Sequence, residues 1–175
     1  MSRLAVPVGP QDHAQGAANA PMTLVEYGDY QCPYCGQAYP VLKQVQAAMG
    51  DRLRFVFRNF PITQSHAHAL DAARFAETAA KAGRFWEAHD LLYERQSALS
   101  RRDLMEYARE LGLDAASVAE GFNGSRDDRI EGDFESGVRS GVNGTPTLFI
   151  NGTRVDGPWD AESLIAALQR VAGAG

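Results

Sequence analysis

The chain has 175 residues, of which 45% are hydrophobic and 22% are charged, as expected for a globular protein with one main domain. Its formal net charge of -5 gives no electrostatic basis for binding nucleic acid or an anionic membrane. No apolar stretch reaches the length of about 20 residues that is needed to span a bilayer. Residues 1–22 also lack the apolar core of a secretion signal. The chain as written is therefore expected in the cytoplasm, and in the periplasm if a leader has been removed from it.

The first part of the chain predicts an arm followed by a βαβ unit. Residues 1–20 are rich in Ala, Gly, Pro and Gln without periodicity, which is typical of an arm that lies over the surface or is partly disordered. A strand is predicted from Met22 to Tyr27, a helix from Pro33 to about Met49 and a second strand from Leu53 to Phe57. Because a helix connects the two strands, they are expected to pair in parallel.

A largely helical segment is predicted between residues 65 and 140. Capping-box patterns at Ser100 to Asp103 and Ser125 to Asp128 mark two helix starts. The Ala-rich stretch 67–82 suits a helix whose axis approaches its neighbours closely. Two apolar stripes recur at helical spacing, the first at Leu104, Tyr107, Ala108 and Leu111 and the second at Ile130, Phe134 and Val138.

The C-terminal part predicts a ββα unit. The dipeptide Asn151-Gly152, a strong hairpin signal, separates two β-compatible runs, Thr147 to Ile150 and Thr153 to Val155. A closing helix follows, with Asp160 as its cap. The predicted fold class is therefore α/β, with βαβ followed by ββα and an all-helical subdomain inserted between the two units.

The two cysteines, Cys32 and Cys35, lie at the predicted start of the first helix. Pro33 fits the first helical position, where its missing N–H group would have no partner anyway. Positions i and i+3 bring Cβ atoms within about 5–6 Å, which is close to disulfide geometry. The N–H groups and dipole of the helix start favour a thiolate, so the pKa of Cys32 is expected to fall by about one to five units. Cys32 is then the attacking sulfur, and Cys35, one turn deeper and less exposed, resolves the mixed disulfide.

A CxxC motif also supplies half of many zinc sites. The chain has no further cysteine, and the two-residue spacing of His66 and His68 points them to different sides of a helix. We interpret these histidines and His89 as helix-start or packing residues. The proline between the cysteines disfavours a pair that only fills the core. We therefore predict no metal and favour thiol–disulfide exchange.

Glu26 lies on the strand that precedes the cysteines, and its spacing leaves two interpretations open. In a sheet covered on both faces the acid would be buried beneath the cysteine helix, and a carboxylate with a raised pKa could take a proton from Cys35. Alternatively, Glu26 is a strand-end acid that reaches solvent. The conformation of Pro146 is also open at this point, because only about one X–Pro bond in twenty is cis.

The spaced combination of motifs resembles the DsbA-like branch of the thioredoxin superfamily. Its main elements are Cys32-Pro33-Tyr34-Cys35 and, far downstream, Gly141-Val142-Asn143-Gly144-Thr145-Pro146-Thr147. Further segments similar to bacterial members are Glu26-Tyr27-Gly28-Asp29, Arg58-Asn59-Phe60-Pro61, Phe85-Trp86-Glu87-Ala88-His89-Asp90 and Phe149-Ile150-Asn151-Gly152. The resemblance implies a thioredoxin-like domain formed by residues 21–62 and 141–175, an inserted helical subdomain over 63–140 and an N-terminal arm over 1–20.

The resemblance also implies an enzyme, a protein dithiol–disulfide oxidoreductase that needs no bound cofactor. Cys32 would be its nucleophile, Cys35 its resolving thiol and Glu26 the buried acid of the family. Pro146 would be a cis-proline that faces the disulfide, and Thr145 would offer backbone groups to an extended peptide. The residues implied to bind substrate are Pro33, Tyr34, Thr145 and Pro146.

Two departures from the family pattern affect this interpretation. Tyr34 stands where the best-known oxidases of the family have a histidine. The absence of that histidine removes one source of positive potential near the thiolate. The dipeptide Pro33-Tyr34 is the one seen in glutaredoxins. Many relatives also read His-Pro-His where this chain has His66-Ala67-His68, so a turn set by that proline is not implied here.

The expected partners are protein or peptide thiols and disulfides, with glutathione or another small thiol as a further candidate. A reducing compartment would favour reduction of substrates, and an oxidising compartment would favour donation of the disulfide. Two alternative functions stay open. One is a glutathione-linked transferase or isomerase of the kappa type, whose members usually lack the second cysteine. The other is a noncatalytic peptide-binding or chaperone module that uses the Thr145-Pro146 groove.

Overall fold

A five-stranded mixed sheet with the strand order β1-β3-β2-β4-β5 forms the centre of the fold. The structure is a computed structural model that describes residues 2–174. Strands β2 and β3 are parallel, and the other neighbouring pairs are antiparallel. The strands are β1 (His13–Gly16), β2 (Met22–Gly28), β3 (Leu53–Asn59), β4 (Thr147–Ile150) and β5 (Thr153–Arg154).

The described residues also form seven α-helices, and their order along the chain confirms the predicted α/β class with βαβ followed by ββα. Helix α1 connects β2 to β3, the next five helices lie between β3 and β4, and α7 follows β5. The boundaries of the arm, the α/β domain and the helical subdomain stay a prediction. The helices are α1 (Pro33–Met49), α2 (Ala69–Lys81), α3 (Phe85–Glu94), α4 (Arg101–Glu110), α5 (Ala115–Glu120), α6 (Asp127–Arg139) and α7 (Ala161–Ala174).

The two faces of the sheet bury separate apolar clusters. Because side chains alternate along a strand, Leu24 of β2 packs with the helices of the larger cluster, whereas Val25 and Tyr27 belong to the smaller one. The larger cluster includes buried residues of α1 and α7, and Leu4 and Val8 of the N-terminal segment cover part of the smaller cluster. By the same alternation, Glu26 faces the side that carries the cysteine helix.

The N-terminal segment is more ordered than its composition predicts. Residues 13–16 form the edge strand β1, which pairs antiparallel with β3. At the opposite edge, the N–H of Leu4 donates to the carbonyl of Gly152 at 2.9 Å, and the N–H of Arg154 donates to the carbonyl of Ser2 at 2.9 Å. The segment therefore runs from one edge of the sheet to the other. The strand β1 is not predicted from the sequence, because His13-Ala14-Gln15-Gly16 shows no apolar alternation.

A buried ion pair fixes this segment to the sheet. The Arg58 guanidinium donates to both carboxylate oxygens of Asp12, at 2.9 and 3.1 Å, and the two side chains are only 2% and 3% exposed. Its remaining N–H groups donate to the Tyr27 hydroxyl and to the carbonyls of Val6 and Pro7. Burial opposes ionisation of Asp12, yet hydrogen bonds from Arg58 and from the Gly9 N–H hold its pKa below the usual range.

The substitution Asp12→Ala is expected to lower the free energy of unfolding by about 3–5 kcal/mol, since it leaves the buried Arg58 charge without its anion. Because the pKa of Asp12 is depressed, its contribution is present above the unfolded-state pKa and is lost as the pH falls through the folded-state value. Chemical denaturation at several pH values measures both effects. The control Glu87→Ala removes the carboxylate of an ion pair that is about half exposed, and it is expected to cost less than about 1 kcal/mol.

Only one of the two capping boxes predicted for the helical segment is present in the structure. Ser100 and Asp103 form the predicted reciprocal capping box of α4. The box predicted at Ser125 is absent, because residues 121–125 form a π-helical turn and α6 begins only at Asp127, without a side-chain cap. The predicted stripe on α6 is also only partly buried: Phe134 and Val138 are 36% and 55% exposed.

Candidate active site

The cysteine motif lies where β2 leads into α1. Cys32 is the cap residue of α1, with an extended backbone, and Pro33 occupies the first helical position, as expected for a residue without an N–H group. Cys35 lies within the first turn. Both thiols are free and buried, with Cys32 4% exposed and Cys35 0% exposed. The N–H groups of Tyr34 and Cys35, in the first turn of α1, are close enough to the Cys32 sulfur to stabilise negative charge on it.

The buried carboxylate of Asp29 organises the loop in front of the helix. It accepts hydrogen bonds from the N–H groups of Gln31 at 2.8 Å, Cys32 at 3.2 Å and Ile62 at 2.8 Å. His66 Nδ1 lies 2.7 Å from the same carboxylate. Asp29 thus connects the cysteine loop to the segment that follows β3, a contact that fixes the position of the Cys32 backbone.

A second anchor reaches the loop from the residues after α3. The Gln96 amide donates to the carbonyls of Tyr30 at 3.0 Å and Cys32 at 2.8 Å. Gly36 makes room for this contact, because a Cβ at that position would lie 2.2 Å from the Gln96 side-chain oxygen. No role is predicted from the sequence for Asp29 or Gln96. A short acid just before a helix cap was a usable signal for Asp29, whereas nothing local identifies Gln96.

The Thr145-Pro146 peptide bond is cis, as the resemblance implies, and its loop faces Cys32. The Cys32 Sγ atom lies 3.4 Å from the carbonyl oxygen of Thr145. The Thr145 hydroxyl is buried and has no hydrogen-bond partner within residues 2–174. Tyr34, between the two cysteines, is 62% exposed. The fold therefore brings together two segments that are far apart in the chain and leaves an aromatic side chain beside them at the surface.

The surroundings of Cys32 favour its thiolate. Hydrogen bonding from the Cys35 thiol is the largest cause that lowers the pKa of Cys32 to about 5, and it outweighs the opposing effect of burial. The side chain of Thr145 and the N–H groups of Cys35 and Tyr34 lower the pKa further. The predicted direction of the shift agrees with the structure. The predicted cause, the N–H groups of the helix start, is only a smaller part of it.

Cys35 and Glu26 have shifts of the opposite sign. Burial raises the pKa of Cys35 well above its ordinary value, and its hydrogen bond to Cys32 and the charge of Glu26 add to the effect. Glu26 is 1% exposed, and burial together with the charge of Cys32 raises its pKa to about 8. Of the two interpretations of Glu26, the structure has the buried acid. The site therefore holds one thiol that ionises readily beside two groups that retain their protons at neutral pH.

A family model described as Thioredoxin matches residues 9–170. The chain belongs to the thioredoxin family. Among solved structures, a thioredoxin-like oxidoreductase from Silicibacter pomeroyi DSS-3 is 26% identical, with a TM-score of 0.84 and 95% of each chain covered. DsbA2 from Pseudomonas aeruginosa is 27% identical, with a TM-score of 0.74 over 95% of this chain and 98% of that one. BdbD from Bacillus subtilis, at 21% identity, a TM-score of 0.86 and 98% coverage of both chains, shares the fold. The chain is thus similar in sequence and in fold to DsbA-like members of the thioredoxin family.

The curated relatives of this thioredoxin-family chain are much longer proteins. The Na(+)/H(+) antiporter NhaA 1 of Mycolicibacterium gilvum is 42% identical over 171 residues, and NhaA 3 of Salinispora tropica is 44% identical over 167 residues. These alignments cover 95% and 94% of this chain but only 28% and 26% of the antiporters. In the described part of the chain, none of the helices has both the length and the apolar character needed to cross a bilayer. Residues 2–174 also contain no group of three or more His, Cys, Asp or Glu side chains arranged to hold a metal ion.

Proposed function

We propose that this chain exchanges disulfides with protein or peptide thiols through Cys32 and Cys35. The observation that carries the proposal is the unequal ionisation of the pair: the pKa of Cys32 falls to about 5, whereas that of Cys35 rises well above its ordinary value. A thiolate is the nucleophile in disulfide exchange, and its partner must stay protonated until it is needed. The contact between Cys32 and the cis-proline loop gives the substrate an approach to that thiolate.

In the reducing direction, the Cys32 thiolate attacks one sulfur of the substrate disulfide. A bond forms between Cys32 and that sulfur, and the other substrate sulfur leaves as a thiolate that takes a proton from water. Glu26 next loses its own proton to water, and its carboxylate accepts the proton of Cys35. The Cys35 sulfur attacks Cys32, and the second substrate sulfur leaves as a thiolate that takes a proton from water. The substrate gains two electrons and the cysteine pair becomes a disulfide. The oxidising direction is the reverse of these steps.

Glu26 is suited to this timing because the negative charge of Cys32 contributes to its raised pKa. When Cys32 enters the mixed disulfide, its charge disappears and the pKa of Glu26 falls. The carboxylate therefore becomes available as a base at the step in which Cys35 loses its proton.

The substrate would lie along the Thr145-Pro146 loop beside the cysteines. An extended peptide there can pair with the backbone of Thr145 in the manner of an added strand. The Thr145 hydroxyl, which has no other partner within residues 2–174, is available to the thiolate. The exposed ring of Tyr34 and the ring of Pro33 complete the proposed contact surface.

The two alternative functions have less support. A kappa-type transferase or isomerase needs no second thiol, yet here the Cys35 thiol is the largest cause of the low pKa of Cys32. A noncatalytic peptide-binding module would gain nothing from separating the pKa values of two cysteines. Glutathione remains a proposed small-thiol partner only. In the cytoplasm the site would act as a reductase, and after export to an oxidising compartment it would donate its disulfide.

A thiolate titration tests the proposal directly. Absorbance at about 240 nm in the reduced protein is expected to show one thiolate with a midpoint near pH 5. The variant Cys35→Ala should move that midpoint upward, because it removes the strongest hydrogen-bond donor to the thiolate. The reduced protein should also reduce a model protein disulfide faster than free thiol does. A wild-type thiol that ionises like free cysteine, near pH 8.5, would contradict the proposed mechanism.

A further inference from the structure

Two buried oxygen atoms without partners meet above Gly28. Glu26 Oε2, on β2, and the Tyr93 hydroxyl, on α3, have no hydrogen-bond partner within residues 2–174. Glu26 is 1% exposed and Tyr93 is 6% exposed. The position that a Cβ on Gly28 would take lies 3.2 Å from Glu26 Oε2 and 3.1 Å from the Tyr93 hydroxyl. The acid and the phenol therefore approach one small space from two different elements.

Gly28 keeps this space open. A Cβ at this position would also lie 2.5 Å from the Phe57 ring, so any side chain here would displace the groups that meet above it. Buried polar groups in proteins almost always have partners, and each exception calls for an explanation. Glu26 Oε2 and the Tyr93 hydroxyl are two such exceptions at one point of the structure, and a hydrogen bond between them would explain both.

Tyr93 is the hydrogen-bond donor best placed to reach the Glu26 carboxylate. Across the sheet, Glu26 is flanked by Phe57 of β3 and Leu148 of β4, which carry no ionisable groups. The Tyr30 hydroxyl is already engaged with His89 Nδ1 at 2.9 Å, and hydrogen bonding from the Cys35 thiol lowers the pKa of Cys32.

The titratable groups that face Glu26 come from three parts of the fold. The residues of α7 buried in the same cluster are apolar. The titratable groups are Cys32 and Cys35 at the start of α1, Tyr30 and Asp29 in the loop before it, Tyr93 of α3, and His89 behind Tyr30.

We propose that Tyr93 is a positioning residue for Glu26, whose hydroxyl donates a hydrogen bond to the carboxylate and accepts one from the protonated acid. A phenol can fill both roles by rotating its hydrogen. Burial raises the pKa of Tyr93 well above its ordinary value, so the phenol keeps its proton while the acid changes state. Once a small side-chain rotation brings the two oxygen atoms within hydrogen-bond distance, the pair can bond in both protonation states of Glu26.

The inference rests on the proposed function and deepens it. Without a donor, a buried carboxylate is strongly disfavoured, and Glu26 would be a poor base for Cys35. A hydrogen bond from Tyr93 stabilises the charged form and brings the pKa of Glu26 into the range where it exchanges protons near neutral pH. Tyr93 would thus set the pH range in which the mixed disulfide is resolved.

The test is an infrared titration of Glu26 in the reduced protein. The C=O stretch of the protonated acid, assigned by its loss in Glu26→Gln, should disappear with a midpoint below pH 8 in the wild type, because the pKa of about 8 reflects burial and the charge of Cys32 without a hydrogen bond from Tyr93. In Tyr93→Phe the midpoint should rise by about one pH unit, the difference between a hydrogen bond to the charged acid and one to the neutral acid. An unchanged midpoint in a folded Tyr93→Phe variant would overturn the inference.

Tyr39→Phe is the matched control. The Tyr39 ring stacks on Tyr93 with centroids 5.4 Å apart, but its hydroxyl donates to Asp90 at 2.9 Å. Removing this hydroxyl should leave the Glu26 midpoint unchanged, and a shift as large as that of Tyr93→Phe would show a general packing effect and overturn the inference. If Tyr93→Phe does not fold, fluorotyrosine at position 93 serves instead. Its more acidic hydroxyl is a stronger donor and should move the midpoint downward.

A kinetic readout separates this inference from the proposed function. In Tyr93→Phe, Cys35-dependent release of a peptide from its mixed disulfide with Cys32 should slow at pH 7 and recover at higher pH. The titration midpoint of Cys32 should not change. If the infrared midpoint shifts but the wild type shows no disulfide exchange, the role of Tyr93 stands and the proposed function fails. If the wild type exchanges disulfides and neither readout shifts, only the role of Tyr93 is overturned.

Discussion

Replacing Cys32 by serine is expected to reduce disulfide exchange to the background rate, whereas replacing Cys35 by serine should trap a covalent complex with the substrate. The serine hydroxyl does not ionise near neutral pH, so Cys32→Ser removes the nucleophile. Cys35→Ser retains the Cys32 thiolate but cannot break the mixed disulfide. Turnover of a model protein disulfide and non-reducing electrophoresis measure the two outcomes.

A pair of substitutions at Cys35 separates its two roles. Both Cys35→Ser and Cys35→Ala should trap the mixed disulfide, because neither can resolve it. Only Cys35→Ala should raise the pKa of Cys32 strongly, since a serine hydroxyl can still donate to the thiolate, as the Cys35 thiol does. Thermal denaturation establishes that each variant is folded. Full exchange activity in folded Cys32→Ser would show that the reaction does not use this thiolate.

The substitution Glu26→Gln is expected to raise the free energy of unfolding by about 3 kcal/mol at pH 7. Its pKa of about 8 in the folded chain lies above the value of 4.5 for an ordinary Glu. A raised folded-state pKa gives stability that is present below pH 4.5 and is lost as the pH rises through 8. At about 1.4 kcal/mol per pH unit, the wild type has lost most of this stability at pH 7. A glutamine is neutral at every pH, so the variant loses none of it.

The pH dependence distinguishes this explanation from a simple packing change. The stability difference between Glu26→Gln and wild type should be close to zero at pH 4 and should grow up to about pH 8. Glu110→Gln is a matched control at an exposed carboxylate, because hydrogen bonding from Arg95 lowers the pKa of Glu110 instead of raising it. A gain in stability that is equal at pH 4 and pH 8 would contradict the assignment of a buried, protonated acid. The gain in stability should come with slower resolution of the mixed disulfide, since the variant lacks the base.

The elements that local chemistry specifies were predictable from the sequence. Helix α1 begins and ends at the predicted residues because Pro33 fits a helix start and the apolar residues recur at helical spacing. The hairpin at Asn151-Gly152 forms as predicted, and Asn151 has the positive φ that this turn requires. The position of the two cysteines at this helix start was predictable as well.

Other features depend on contacts between distant parts of the chain. Gln96 meets the cysteine loop only because the helical segment folds back over it. His66, interpreted from the sequence as a helix-start or packing residue, contacts the Asp29 carboxylate. The burial of Glu26 and its approach to Tyr93 depend on how α3 packs on the sheet, which no local pattern encodes.

The N-terminal segment has a consequence for association between copies of the chain. It contributes β1 at one edge of the sheet and pairs with β5 at the other edge. A deletion of residues 2–16 would remove both of these pairings at once. The uncovered β3 and β5 would then present unpaired N–H and C=O groups, which are templates for strand pairing between molecules. One short segment thus pairs with β3 near one edge of the sheet and with β5 at the other, and it limits strand pairing between molecules at both.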